Sequence, residues 1–222
     1  VKTFVHAFEK YWPRHFPCDV LHILVVEQGN NNPFNRAWLG NVGLKELQRF
    51  QLNVDCIVFH DVDLLPWGHV PYTACGRPIL LGSELEHHKW GIPYAQFSGA
   101  VVSMSPDHWK AVNGFSNMYV GWGGEDDDLY LRIVRAGFLK PGQPMPRPPK
   151  GCGRFNATNE SPEHHPRIRD GTYQKSLRLL AEMGGGSDRW KTDGLNSVKY
   201  VITRRVPSRS AVWLVADSPS EP

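Results

Sequence analysis

The chain has 222 residues with 41% apolar content, which is enough for one domain with a substantial core. A formal net charge of +3 is too small to argue for nucleic acid as a partner. No apolar run approaches the about 18 residues a helix needs to cross a bilayer, so no membrane segment is expected within it.

In chain order, residues 1–8 read as a helix and residues 20–27 as a strand. A helix over 36–50 follows the turn Phe34-Asn35-Arg36. The apolar, β-branched stretch 54–59 reads as a buried parallel strand, and 79–82 and 97–104 as further strands. Residues 106–112 form a short helix. Residues 140–166, rich in proline, glycine and asparagine, read as a long loop, and 195–203 and 211–215 as late strands. The alternation of strand and helix predicts an α/β sheet, and there is no internal repeat. Asn156-Ala157-Thr158 and Asn159-Glu160-Ser161 are glycosylation sequons.

Two acidic motifs carry the chemistry. In Gly121-Trp122-Gly123-Gly124-Glu125-Asp126-Asp127-Asp128, four acids follow an aromatic held between glycines. Trp122 offers a flat face on which a sugar can stack, and the acids open a helix that ends before Gly137. A solvated helix start is the simpler account of such a run. The second motif is Asp61-Val62-Asp63, at the carboxyl end of strand 54–59. In extended chain the two carboxylates point to the same side, at the edge where open α/β sheets bind ligands. Such a pair is costly unless a cation sits between them, and hard oxygen ligands suit Mg²⁺ or Mn²⁺.

Five ordered segments make the chain resemble the beta-1,4-galactosyltransferase family. They are Phe34-Asn35-Arg36-Ala37 with Asn41-Val42-Gly43, then Asp61-Val62-Asp63-Leu64-Leu65-Pro66, then Asn113-Gly114-Phe115-Ser116-Asn117. The tryptophan–acid block at 121–128 and Asp193-Gly194-Leu195-Asn196-Ser197 complete the set, which spans about residues 20–200. The resemblance implies a GT-A-type nucleotide-diphospho-sugar transferase fold, α/β with a mostly parallel central sheet flanked by helices. It implies one catalytic domain over 1–222, with 140–166 as a lid-like loop. The implied activity is inverting, Mn²⁺-dependent transfer of galactose from UDP-galactose to a glycan hydroxyl in β-1,4 linkage. Transfer of N-acetylgalactosamine from UDP-GalNAc and a non-catalytic sugar-binding relic are the alternatives.

Residue by residue, the resemblance makes Asp126 the general base. It places Phe34, Asn35, Arg36, Asp61, Val62, Asp63 and Trp122 against the donor. Tyr94 and Phe97 line the sugar pocket beside the acceptor-side residues Gly124, Glu125, Asp126 and Asp127, although core packing would equally account for both rings. The bulky Phe97 favours galactose over N-acetylgalactosamine. Asp63, Glu163 and His165 are the implied metal ligands, with His164 in reserve, and Cys56–Cys75 an implied disulfide. Cys18 and Cys152 have no assigned partner. Acceptor signals are mixed: Gly123-Gly124 resembles members acting on GlcNAc, and 195–200 looks like the xylose-specific member, so a GlcNAc, Glc or Xyl terminus is expected. Family members are type II Golgi proteins, which implies a lumenal location and an anchor upstream of Val1. They also open with a uridine-cradling strand. Here residues 1–8 read as the helix after it, so that strand is expected to be missing and the chain alone to bind donor weakly.

Overall fold

Helix α1 (Lys2–His15) buries Phe4 and Phe8, four residues apart and therefore on one face. The chain then enters strand β1 (Ile23–Gln28) and helix α2 (Arg36–Arg49). Asn35 caps α2, its side-chain oxygen accepting the Trp38 N–H at 2.8 Å, so the expected Phe34-Asn35-Arg36 turn is a helix start. Strands β2 (Ile57–His60), β3 (Leu64–Pro66), β4 (Ile79–Leu80), β5 (Glu84–Leu85) and β6 (Val101–Met104) follow. Helix α3 (Pro106–Ala111) starts at a capping box in which the Ser105 hydroxyl accepts from the His108 N–H. Helix α4 (Glu125–Arg135), strand β7 (Arg154–Ala157), helix α5 (Gly171–Gly184) and strands β8 (Val201–Pro207) and β9 (Ala211–Asp217) complete the chain. This is a computed structural model in which residues 1–158, 171–208 and 210–219 are described.

Among the described residues the strands form three sheets of three, in the orders β1-β9-β8, β2-β6-β4 and β3-β7-β5. The α/β class is as expected, but the pairing is mixed rather than mostly parallel. β1 with β9 and β5 with β7 run parallel, whereas the other four pairs run antiparallel. Strand β2, read as parallel, pairs antiparallel with β6 through Ile57↔Met104 to His60↔Val101. A parallel pair needs a crossover, usually helical, and no α-helix lies between β2 and β6. The stretch read as one loop over 140–166 contains β7, which takes ladder partners from β3 and β5 on its two sides and buries Phe155 fully. Pairing from distant strands, not local propensity, makes it a strand.

Among the described residues the apolar core divides into three clusters. One joins α3 and α4 to β6 through Trp109, Phe115, Leu129, Ile133 and Met104. A second packs α1 on β2, β3 and β7 through Phe4, Phe8, Tyr72, Leu64 and Phe155. The third seats Trp38, Leu39 and Val42 of α2 on Ala216 of β9. Truncating a fully buried ring such as Phe115 or Phe155 would cost about 3–5 kcal/mol.

Candidate active site

The tryptophan–acid block is shaped by its glycines. Gly121, Gly123 and Gly124 have φ of 78°, 96° and 92°, a region that side chains disfavour, and a Cβ on Gly124 would stand 2.9 Å from the Tyr119 ring. Gly124 is the N-cap of α4, and the four acids fill the first turn, where the helix dipole favours them. The helical period then separates their roles. Asp128 turns inward and is fully buried, accepting from Arg132 Nε, from Arg189 Nη2 at 3.1 Å and from Tyr119 Oη at 3.0 Å. It is part of the scaffold. Glu125, Asp126 and Asp127 remain partly exposed.

The titration of Asp126 is strongly perturbed. Burial, then the neighbouring charges of Glu125 and Asp127, push its carboxyl up to about 7, while Arg36 and the Asp127 N–H act in the other direction. Glu125 is also raised by burial, against the pull of Arg36. Asp127 accepts the Tyr94 hydroxyl at 2.6 Å, and the Tyr94 and Phe97 rings meet edge-on with centroids 5.6 Å apart. Burial, together with Asp126 and Asp127, holds the Tyr94 hydroxyl in its protonated, donating form. The predicted acceptor-side residues Tyr94, Phe97, Gly124, Glu125, Asp126 and Asp127 therefore form one cluster.

The donor-side residues meet the same cluster through Arg36. Its guanidinium donates to Asp61 Oδ1 from Nε and Nη2, stands 3.6 Å from Glu125 Oε1 and lies over the Phe59 ring at 4.4 Å. Phe34 exposes its ring, and its carbonyl accepts the Gly121 N–H at 2.8 Å, tying the α2 entry to the Trp122 loop. Asn35 donates from Nδ2 to the Asn117 carbonyl at 2.8 Å, so its side chain is occupied in joining segments. Trp122 is 45% exposed, with its ring 5.7 Å from that of Tyr173 on α5. Tyr173 and α5 were missed in the sequence, although Ser176, Leu179 and Met183 at helical spacing before Gly184 carry the signal.

Asp61 and Asp63 do not sit in extended chain. The Leu64 N–H bonds the Asp61 carbonyl at 3.2 Å and closes a turn at 61–64, so the period-two rule fails there. Asp61 is neutralised by Arg36, whereas Asp63 has no ion-pair partner among the described residues. Val62, between them, is exposed. The Asp63 carbonyl is fixed by the Thr158 N–H at 2.7 Å. Glu163, His164 and His165, and the sequon at Asn159, lie outside the described residues. Among the described residues no cluster of three or more metal-ligating side chains occurs. Cys56 and Cys75 are disulfide-bonded with Cα atoms 5.6 Å apart, and Cys18 and Cys152 are free thiols.

His60, which the sequence did not single out, buttresses the Asp61 turn. Its Nδ1 lies 2.8 Å from the Asp61 carbonyl and its Nε2 3.0 Å from the Tyr72 hydroxyl, with the Phe4, Phe8 and Phe155 rings packed edge-on around it. Burial pushes its pKa down to about 4. The motifs at 113–117 and 193–197 prove to be a scaffold. Asp193 accepts the Asn117 N–H at 2.9 Å, and Asn113 accepts the Asn196 N–H at 2.9 Å. The fully buried Asn41 accepts from the Phe115 N–H and donates to the Phe115 carbonyl.

An α/β fold whose acid-rich helix start is joined through Arg36 to the Asp-x-Asp turn matches the GT-A fold of a galactosyltransferase. Two family models match: "N-terminal region of glycosyl transferase group 7" over residues 20–76 and "N-terminal domain of galactosyltransferase" over residues 81–161. Beta-1,4-galactosyltransferase 5 of Danio rerio is 37% identical over 184 residues, covering 82% of this chain and 45% of the relative. Beta-1,4-galactosyltransferase 6 of Homo sapiens is 35% identical over 205 residues, covering 84% and 49%. A crystal structure of Drosophila beta-1,4-galactosyltransferase 7, a mutant in complex with manganese, UDP-Gal and xylobiose, matches with a TM-score of 0.73 at 27% identity, over 99% of this chain and 88% of that one. The chain belongs to the beta-1,4-galactosyltransferase family. It spans about half the length of the curated relatives it matches.

Proposed function

We propose that the protein transfers galactose from UDP-galactose to a hydroxyl of a glycan acceptor, with inversion, in β-1,4 linkage and with Mn²⁺. The observation that carries this reading is the Asp126 carboxyl, raised to about 7 by burial and its acidic neighbours, set beside the Tyr94 and Phe97 rings and following the glycine-shaped Trp122 loop in the chain. A base poised near neutrality can take a proton from a sugar hydroxyl as that oxygen forms its bond. In this reading the acceptor oxygen attacks the anomeric carbon of galactose. Its proton passes to Asp126, and the bond from that carbon to the diphosphate oxygen breaks, so UDP leaves as the anion. Glu125 and Asp127 orient acceptor hydroxyls, Trp122 stacks on sugar, and Tyr94 keeps Asp127 in place through its 2.6 Å hydrogen bond. Phe97 fills the space an N-acetyl group would need. Phe34 and Arg36 flank the uridine, with Asp61 and Val62 beside the nucleoside.

The donor set fits a hard divalent ion. Asp63 offers a carboxylate without a cationic partner among the described residues, and Glu163 and His165 are of suitable chemistry. When bound, Mn²⁺ would offset the charge of the diphosphate leaving group. The acceptor would end in GlcNAc, Glc or Xyl, and xylobiose is named with the Drosophila neighbour. By family membership the site of action is the Golgi lumen, which suits the Cys56–Cys75 disulfide. Among the described residues no helix is long and apolar enough to cross a membrane. Incubation with labelled UDP-galactose, MnCl₂ and GlcNAc, glucose or xylose acceptors tests the proposal. Manganese-dependent product with one acceptor is expected; donor binding without transfer to any acceptor would leave only a sugar-binding role.

A further inference from the structure

We infer that Ser98 and Gly99 are positioning residues that form a cradle for Asp126, and that the rate of transfer depends on the missing side chain at Gly99. This rests on Asp126 being the base. Three contacts fix that residue from two elements. The Ser98 hydroxyl, on a side chain that is almost fully buried, donates to the Asp126 main-chain carbonyl. Within α4, the Asp127 N–H donates to Asp126 Oδ1 at 2.9 Å. The other carboxylate oxygen lies over Gly99. A Cβ built there would stand 2.9 Å from Asp126 Oδ2 and 2.8 Å from both Cε2 and Cζ of Phe97. Real side chains do not tolerate such contacts, so any substituent at Gly99 must displace the base, the aromatic wall of the pocket, or both.

The cradle also has a firm foundation. Ala100, next in the chain, is held at a φ of 61°, unusual for a residue with a Cβ, and its carbonyl accepts the Asp61 N–H at 3.1 Å. The backbone that carries Ser98 and Gly99 is thus tied at one side to the α4 acids and at the other to the Asp61 turn. It has little freedom to retreat when a methyl group is added. Displacing a reacting group by about 1 Å can cost on the order of a hundredfold in rate, so a crowded carboxylate should show in turnover before it shows in binding.

Gly99→Ala and Ser98→Ala test this in the full chain, with Asp126→Asn in parallel. The probes are UDP-galactose with MnCl₂ and the acceptor sugar that the parent uses best. Gly99→Ala is expected to lower kcat about tenfold or more, a larger factor than any rise in donor Kd through Phe97, with the variant still folded at the assay temperature. Ser98→Ala is expected to lower kcat by a smaller factor with the donor Kd unchanged. Parental kcat in Gly99→Ala, or a loss matched by an equal loss of donor binding, would overturn the cradle. If Gly99→Ala fails to fold, Ser98→Ala decides, and parental kcat there would overturn it. Full turnover in Asp126→Asn would instead sink the base assignment. An inactive Asp126→Asn beside fully active cradle variants would sink the cradle alone.

Discussion

The Arg36 guanidinium grips one oxygen of Asp61 with two hydrogen bonds, 2.8 Å from Nε and 2.6 Å from Nη2, while its Nη1 stands 3.6 Å from Glu125. One cation on α2 thus joins the Asp-x-Asp turn to the acid block of α4. Without it, Asp61, Glu125 and Asp126 would crowd their negative charges at a partly buried site.

Arg36→Met should therefore act on both stability and pH dependence. Arg36 lowers the pKa of Asp126, so its loss raises that pKa further. A base must be ionised to work, so the acidic limb of the kcat profile should move to higher pH. The pH–rate profile of the variant checks this, and an unmoved limb would show that Arg36 does not communicate with the base.

Stability should carry a signature of Asp126. Its folded pKa of about 7 exceeds the ordinary value of 3.8, so between these values the folded state binds more protons than the unfolded state. Stability from this group is therefore lost as pH rises through the window. His60 works in the opposite sense. Lowered from 6.5 to about 4, it makes the unfolded state the better proton binder, and its contribution is lost as pH falls through that range. The two partly cancel in the parent. The melting temperature of Asp126→Asn minus that of the parent should grow from about pH 4 to 7 and then level. A flat difference would contradict the assignment.

Asp63→Asn is expected to remove most manganese-dependent transfer with little change in melting temperature, because the side chain has no ion-pair partner among the described residues. Manganese titration of activity, with melting in metal-free buffer, measures both. Full activity in excess chelator would refute the metal role.

Arg132→Met tests the scaffold. Arg132 and Asp128 are both fully buried and paired, so truncating Arg132 leaves a buried carboxylate with Arg189 as its one remaining cationic partner among the described residues, at a cost of about 3–5 kcal/mol. Denaturant unfolding should show a loss of that size, and a loss below about 1 kcal/mol would mean that Arg189 and Tyr119 satisfy Asp128 by themselves.

The sequence showed what local pattern can show. The helix from Glu125, its glycine entry and the tie between Cys56 and Cys75 were legible, the first two from residue chemistry and the last from family resemblance. Sheet direction was not, because β2 and β6 meet across about forty residues that hold no crossover helix. The acids of α4 looked alike in the sequence, and only the facing residues Arg132, Arg189, Tyr119 and Tyr94 separate buried Asp128 from the partly exposed Asp126 and Asp127. Gly99 is silent in the sequence, since its meaning is the distance to a carboxylate twenty-seven residues away. The same holds for Tyr173, which acquires a role only by standing against Trp122.

The most direct test of the account is the transfer rate of Asp126→Asn measured beside its affinity for the manganese–UDP-galactose complex. The amide keeps the size of the side chain but is a far poorer proton acceptor. Loss of a general base should cost on the order of 10²–10⁴ in rate. The account predicts a fall in kcat of that order with the donor Kd near the parent value. Near-full turnover in this variant would contradict it and pass the role of base to another residue of the site.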